Sequence, residues 1–285
     1  MTDRPHCHSI KLSRTAVIIV THNAQTVLGR CIAALERQTV PPAATVIVDS
    51  GSEDTAYLRP YQEQNSCTVL LEKNIGFSRA NNLGWQVVSQ DADYILFLNP
   101  DAFPAPNSLE LALAFLAENE KVGGIGGRLL GFDAQQNQPA GLLDSTGVFR
   151  TWFGRWHDRD QGQPDCGQHN LREHVPALCG AFLCCRKTAL KSAALPGKAI
   201  FDPDFFLYKE DIELCLRLRK KGWQLVYLPE IRVHHCRGWQ QERQRIPYQL
   251  RLTAARSELL LYKKHPSPYM LWAAAKYLLV RGLRL

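Results

Sequence analysis

No C-x-x-C pair occurs in this chain, and its nine cysteines follow no regular spacing. A disulfide framework is therefore not expected, and reduced thiols in a cytosolic protein are. No apolar run reaches the length of a membrane span. The opening MTDRPHCHSIKLSR lacks the apolar stretch of a secretory signal, so secretion is not expected, and PHCHS reads as a polar tail rather than a metal site. G-x-G-x-x-G is missing after the first strand-like run, which ends in VTHNAQ, and G-x-x-x-x-G-K-[ST] occurs nowhere. The two commonest phosphate-cradling loops are thus absent, and dinucleotide dehydrogenases and P-loop enzymes drop out. There is no internal repeat and no low-complexity tract.

What remains is a chain of 285 residues, 45% hydrophobic and 21% charged, enough to bury a substantial core as one large α/β domain or two small ones. A formal charge of +7 points to an anionic partner: a phosphorylated substrate, a nucleic acid or an anionic membrane surface.

Four strand-like runs alternate with helix-like ones in the first half. TAVIIV (15–20) precedes AQTVLGRCIAALERQ; ATVIVD (44–49) precedes a short polar helix around EDTAYLRPY; CTVLLE (67–72) precedes SRANNLGWQVVSQ; YILFLN (94–99) precedes SLELALAFLAEN. This rhythm predicts parallel strands with crossover helices. Ligands on such sheets bind beyond the carboxyl ends of the strands. Here those ends carry the polar segments THN, DSGSED, NIGFSRANN and NPD, which implies a binding site along one edge. From about 131 to 175 the rhythm fails and a long irregular stretch is expected, of the kind that is usually functional or mobile. Regular structure resumes with VPALCGAFLCCR, then a helix within FFLYKEDIELCLRLRKKGW ended by Gly222, then strands at QLVYLP and IRVHH.

Several side chains admit a chemical and a plain reading. Asp49, at a strand end, suits the imide N–H of a uracil or thymine ring, or else an ordinary turn. Asp101 suits Mg²⁺ or Mn²⁺, which take one or two carboxylates and complete their shell with water and phosphate oxygens, or else it is the turn residue of Asn-Pro-Asp. The Glu210-Asp211 pair either complements a helix dipole or places a general base beside a partly dry pocket. Glu213 and Arg217 read as a solvated i,i+4 ion pair. His234-His235 ends a strand, where a metal ligand facing Asp101 is one reading and a structural histidine the other.

Taken together, IVTHNA, VIVDSGSED, NIGFSRANNLG, FLNPDA, ALCGAFLCCRK, FFLYKEDIELCLRLRKKGW and LPEIRVHHCRG, in that order, resemble the family 2 glycosyltransferases of the GT-A fold and their rhamnosyltransferase-like branch. The resemblance implies an α/β fold with a Rossmann-like mixed, mainly parallel sheet flanked by helices and a C-terminal helical extension. It implies a tail over 1–14, a catalytic domain over 15–240 and a helical segment over 241–285. Thr21 and Asn23 would line a nucleotide pocket, Asp49 would contact the base, Gly76 would let the backbone approach the nucleotide, and Arg79 would lie near the base or phosphates. Asn99 and Asp101 would stand where the family carries D-x-D, with Asp101 and His235 on Mg²⁺ or Mn²⁺ and His234 a neighbour. Asp211 would be the catalytic base, with Glu210 orienting or assisting it.

The implied reaction is a single displacement with inversion, from a dTDP- or UDP-linked sugar, with rhamnose favoured, to a saccharide or polyprenyl-linked acceptor in cell-surface polysaccharide synthesis. Nucleic acid is not among the implied partners, and a homodimer is an open assembly. HHCRGW departs from the small, Gly-rich tail more usual after the histidine. The cysteines of CGAFLCC read as inert core packing. Trp152 and Trp156 either stack on an acceptor sugar or anchor a loop. The tail 267–285, too charged to span a bilayer, suits a helix lying at the inner face of the membrane, or one docked on the body or a second subunit. Two other functions compete: a sugar nucleotidyltransferase, for which VTHNAQT lacks the Gly/Arg-rich loop, and a sugar-nucleotide or glycan-binding protein without turnover.

Overall fold

The β-branched run TAVIIVT forms β1 (Thr15–Thr21), buried along its whole length, and everything else in the sheet is placed relative to it. A computed structural model describes residues 14–64, 67–88, 91–236 and 246–283. β2 (Ala44–Ser50) and β4 (Tyr94–Leu98) pair with β1 in parallel on its two sides, and β3 (Cys67–Glu72) continues outward from β2. The connecting helices α1 (Leu28–Glu36), α2 (Arg59–Gln62) and α3 (Phe77–Val87) are the expected crossovers. α1 shows the logic: Leu28, Cys31, Ile32, Ala34 and Leu35 recur at helical spacing and are the residues it buries.

Beyond β4 the sheet turns mixed. β11 (Phe182–Arg186) runs antiparallel between β4 and β6 (Val122–Asp133), and β12 (Gln224–His235) lies parallel to β6. The order is β10-β12-β6-β11-β4-β1-β2-β3, with β5 (Ala102–Pro104) on β12 and β7 (Gln138–Ser145) on β6; β10 is Glu173–His174. α4 (Ser108–Glu118), α5 (Lys187–Ser192) and α6 (Glu210–Lys220) flank this half, and the chain closes with the helical pair α7 (Tyr248–Lys264) and α8 (Met270–Leu283). No helix among the described residues is long and apolar enough to cross a membrane.

One strand goes unmarked in the sequence, and two expectations need correction. β6, written VGGIGGRLLGFD, gives no strand signal because glycine weakens a strand locally. Here its glycines admit close neighbours: a Cβ on Gly127 would lie 2.6 Å from Ile231 and one on Gly123 would lie 2.7 Å from Trp223. The two runs QLVYLP and IRVHH are one strand, β12, with an irregular register between Leu228 and Arg232. The stretch 131–175 is not structureless, since it holds β7, the small β8–β9 hairpin (Val148–Arg150, Trp156–Asp158) and β10.

A third correction concerns Glu213 and Arg217, which are not solvated. Glu213 is 2% exposed, and Arg217 Nε donates to both of its carboxylate oxygens at 2.8 and 2.9 Å. The same guanidinium donates to the carbonyls of Ala193 and Ile200, so this pair locks α6 to the neighbouring segment. The cysteines behave as core: Cys184 and Cys185 are fully buried, and burial pushes the Cys184 thiol up to about 12.

Candidate active site

The carboxyl ends of β1 and β2 are tied together by one carboxylate. Asp49, 1% exposed, accepts from the Ser52 amide on Oδ1 at 2.9 Å. Its Oδ2 accepts from Thr21 Oγ1 at 3.1 Å, Ser52 Oγ at 2.5 Å and Tyr57 Oη at 3.1 Å. Asn23, in the left-handed region at φ 51°, donates its amide to Ser52 Oγ and accepts from the Glu53 amide on Oδ1. Thr21, Asn23 and Asp49 thus form one rigid cluster, and Asp49 organises the loop that it also faces.

The β3–α3 loop packs against this cluster through glycine. A Cβ on Gly51 would lie 2.4 Å from the Asn74 amide nitrogen, and φ there is +78°. At Gly76 the close neighbour is the chain itself: Phe206 carbonyl and ring atoms lie 2.6 Å from where a Cβ would stand, and the Phe77 amide donates to the Phe206 carbonyl at 2.8 Å. Arg79 is exposed and donates through Nε to the Pro203 carbonyl at 3.2 Å. Its side chain is directed at the 203–206 turn, and no hydrogen bond joins it to the Asp49 cluster among the described residues.

Strand pairing assembles the second cluster. β5 runs antiparallel to the end of β12 with Ala102 opposite His235, which sets Asp101 beside the histidine. The Cys236 amide donates to the Asp101 carbonyl at 3.0 Å and holds that register. His235 Nε2 stands 3.2 Å from Asp101 Oδ1 and 3.3 Å from Asn99 Nδ2. On its other side His235 Nδ1 is 2.7 Å from Oδ2 of Asp144, a fully buried carboxylate on β7. Burial alone would lower the His235 pKa, but Asp101 and Asp144 outweigh it and raise it to about 9. Asp101 is correspondingly lowered: burial opposes ionisation, and His235 overrides it. His234 points away and meets the Phe132 ring edge-on at 5.8 Å. Among the described residues, no group of three or more His, Cys, Asp or Glu side chains is arranged to hold a metal ion by itself.

Asp144 is the residue that sequence reasoning missed. It lies in LLDST, inside the stretch expected to be irregular, and only the pairing of β7 on β6 carries it behind His235.

The third cluster is the start of α6. Tyr208 and Lys209 both adopt φ of 71°, an uncommon conformation for non-glycine residues that tends to gather at functional sites. Asp211 is half-buried, and its Oδ2 accepts from the Gly180 amide at 2.9 Å. Burial raises its pKa, with the Asp158 charge adding to this and the Gly180 and Ile212 amides and Lys209 opposing it. Glu210 is buried at 6% exposure, and its Oε2 has no hydrogen-bond partner among the described residues. No hydrogen bond links it to Asp211 among those residues. Burial, then the Asp211 charge, pushes Glu210 up to about 8. Beneath them the Lys209 ammonium donates to the Trp156 carbonyl at 3.3 Å, with its pKa lowered by burial against the pull of Glu258, Asp211 and Asp158. Trp156 is buried, while Trp152 is 86% exposed.

The raised Glu210 pKa has a measurable consequence. Between its unfolded value near 4.5 and about 8 the folded state holds a proton that the unfolded state has released, so this residue erodes stability as pH rises through that window. Glu210→Gln removes the penalty. Urea unfolding at pH 5 and pH 8 is expected to show the variant gaining a few kcal/mol on the parent at the higher pH, at up to ~1.4 kcal/mol per pH unit. An equal gap at both pH values would show that Glu210 ionises freely.

Residues 16–191 match the sequence model of glycosyl transferase family 2. The chain belongs to that family. This glycosyltransferase is 26% identical over 234 residues to an N-acetylglucosaminyl-diphospho-decaprenol L-rhamnosyltransferase of Mycobacterium tuberculosis (strain CDC 1551 / Oshkosh), covering 77% of this chain and 75% of that one. It is 27% identical over 281 residues to validoxylamine A glucosyltransferase of Streptomyces hygroscopicus subsp. limoneus, covering 90% of this chain and 58% of that one. Among solved structures it resembles GalNAc-T7 in complex with UDP, GalNAc and Mn²⁺, with a TM-score of 0.68 at 16% identity over 96% of this chain and 57% of that longer one. It also resembles the mannosyltransferase PcManGT from Pyrobaculum calidifontis with GDP-Man and Mn²⁺, at a TM-score of 0.59 and 17% identity over 94% of this chain and 70% of that one. The glycosyltransferase therefore has the GT-A fold, a curled mixed sheet with helices on its faces and a helical pair at the C-terminus.

Proposed function

We propose that this glycosyltransferase moves a sugar, with rhamnose favoured, from a dTDP- or UDP-linked donor to a lipid-linked saccharide, with inversion at the anomeric carbon and with Mg²⁺ or Mn²⁺ at the strand-end cluster. The observation that carries the reading is the convergence of Asp101, His235 and Asp144 at the junction of β5, β7 and β12. A histidine held on one nitrogen by a buried carboxylate, with its other nitrogen beside a second carboxylate, is the arrangement that orients a metal-ligating imidazole. Two protein ligands, Asp101 and His235, with diphosphate oxygens and water for the rest, suit a hard divalent cation. When bound, that ion would supply charge neutralisation of the departing diphosphate.

The chain's own residues divide the remaining work. In this reading Thr21, Asn23 and Asp49 form the wall that receives the nucleoside, with one lone pair of Asp49 Oδ1 left for an imide N–H. Gly76, covered by Phe206, supports that wall from below. Asp211, half-buried and fixed by the Gly180 amide, accepts the proton of the acceptor hydroxyl. Its raised pKa improves its match to that task near neutral pH. Glu210 is buried behind it and keeps the site dry rather than touching substrate. The rhamnosyl and lipid-linked parts of the reading are supported by the mycobacterial relative, whose name states both. In this reading the reaction runs at the cytoplasmic face of a membrane.

Calorimetry with nucleoside diphosphates and nucleotide sugars, with and without Mn²⁺ or Mg²⁺, tests this on the parent chain and on Asp101→Ala. The expected result is metal-dependent binding of a dTDP or UDP ligand that is lost in the variant. Equal binding by both proteins, or binding indifferent to metal, would remove Asp101 and the cation from the mechanism.

A further inference from the structure

Beside the Asp49 cluster, a groove of about 680 Å³ lies between the 73–79 segment, the 203–206 turn, α7 and α8. Its size is that of a small-ligand site. Four cationic side chains line it, Lys73 and Arg79 from the loop side and Arg256 and Lys263 from α7. All four are exposed, and among the described residues none is in an ion pair. The one acid on the rim, Asp204, is taken by Lys264 at 2.5 Å. Between the charges the lining is hydrocarbon and aromatic: Leu259 and Leu260 of α7, Tyr277 of α8, and Phe206. Unpaired like charges around a concave apolar floor call for a compact polyanion attached to something greasy.

Two features say what that object is. α8, which contributes Tyr277 to the groove, leaves Leu271, Leu278 and Leu283 at 77%, 65% and 64% exposed. Its Trp272 ring meets Phe153 at 5.4 Å, beside the exposed Trp152. Apolar surface thus runs on from the groove along the helix, a disposition suited to the interface of a bilayer. The single lysine of α8, Lys276, is drawn inward to Glu258, which ties the helix to the body. Phe206, for its part, lines the groove with one side and covers Gly76 of the candidate nucleotide wall with the other. The cavity therefore sits against the active site, where a substrate rather than bulk lipid must come.

We propose that this groove binds the diphosphate of the lipid-linked acceptor, with the leucines of α8 resting against its hydrocarbon chain. The inference deepens the function proposed above and rests on its lipid-linked acceptor.

The test is co-sedimentation of the full chain with neutral phosphatidylcholine vesicles doped either with a long-chain polyprenyl diphosphate or, at the same total negative charge, with phosphatidylglycerol. Stronger recruitment by the polyprenyl diphosphate is expected. The double variant R256Q/K263Q, both positions exposed, is expected to bind those vesicles about 30-fold more weakly, since each basic residue near an anionic headgroup contributes about a factor of five. Its calorimetric affinity for the nucleoside diphosphate is expected to be that of the parent. Equal recruitment by the two vesicle types, no recruitment by either, or unchanged binding by the variant would overturn the assignment. Failure of donor binding in the parent chain would instead sink the enzymatic reading and would leave the vesicle result to be read separately.

Discussion

Asp211→Asn is expected to keep nucleotide-sugar binding within about twofold and to lower turnover by ~10²–10⁴, the usual contribution of a positioned base. The asparagine oxygen can still accept from the Gly180 amide, which holds Asp211 at 2.9 Å, and gives up only the bond from the Ile212 amide. What it loses is the capacity to take a proton. The loss should therefore fall on kcat, with the donor KM little changed, the signature of an interaction made in the transition state. The measurement is release of nucleoside diphosphate from a dTDP- or UDP-linked sugar in the presence of a lipid-linked saccharide. Turnover within fivefold of the parent would move the base elsewhere. Glu210 is a poor substitute, because it is buried and its Oε2 meets no partner among the described residues.

The second large effect is expected at Asp144. Its carboxylate is fully buried 2.7 Å from His235 Nδ1, so it sets which way the ring faces and would keep a proton on Nδ1 when a metal takes Nε2. Removing such a support typically costs 10–100-fold in metal affinity. Asp144→Ala should weaken Mn²⁺ binding by that order, read by electron paramagnetic resonance with a nucleoside diphosphate present. Asp144→Asn should fall between alanine and the parent, because an amide oxygen still accepts from Nδ1–H while the charge is gone. That ordering separates a positioning role from simple loss of packing, which would make asparagine nearly harmless. If alanine binds Mn²⁺ as tightly as the parent, His235 is not a ligand that Asp144 holds.

Legibility in the sequence divides along physical lines. β1 to β4 are readable because each is a short apolar run followed by turn residues and a helical stretch, and local pattern and tertiary role agree. The fold class follows from that agreement. β6 is unreadable because four of its five glycines, Gly123, Gly124, Gly126 and Gly127, admit Trp223, Leu225, Leu178 and Ile231, contacts that no local pattern encodes. Glu213 and Arg217 are read correctly as partners and wrongly as solvated, since α5 and the 200 loop bury a pair whose spacing alone cannot reveal its surroundings.

The candidate site shows the same division. Asp49, Asp101 and Asp211 announce themselves by standing at the ends of recognisable elements. Asp144 does not, because its importance depends on which strand β7 lies against. Gly76 is a different case: its requirement for glycine is explained by Phe206 of the same chain, 130 residues away in sequence. HHCRGW after the histidine extends past the described residues at Arg237.

The buried carboxylate on β7 also bears on how this enzyme can change. The 131–175 excursion has the composition of a loop, although it holds β7, the β8–β9 hairpin and β10. It is anchored at its root, however, by the side chain that steadies His235. A swap that begins before residue 144 replaces the carboxylate behind His235, whereas one that begins after it leaves that carboxylate in place. Modularity in this part of the molecule therefore has a boundary one residue wide.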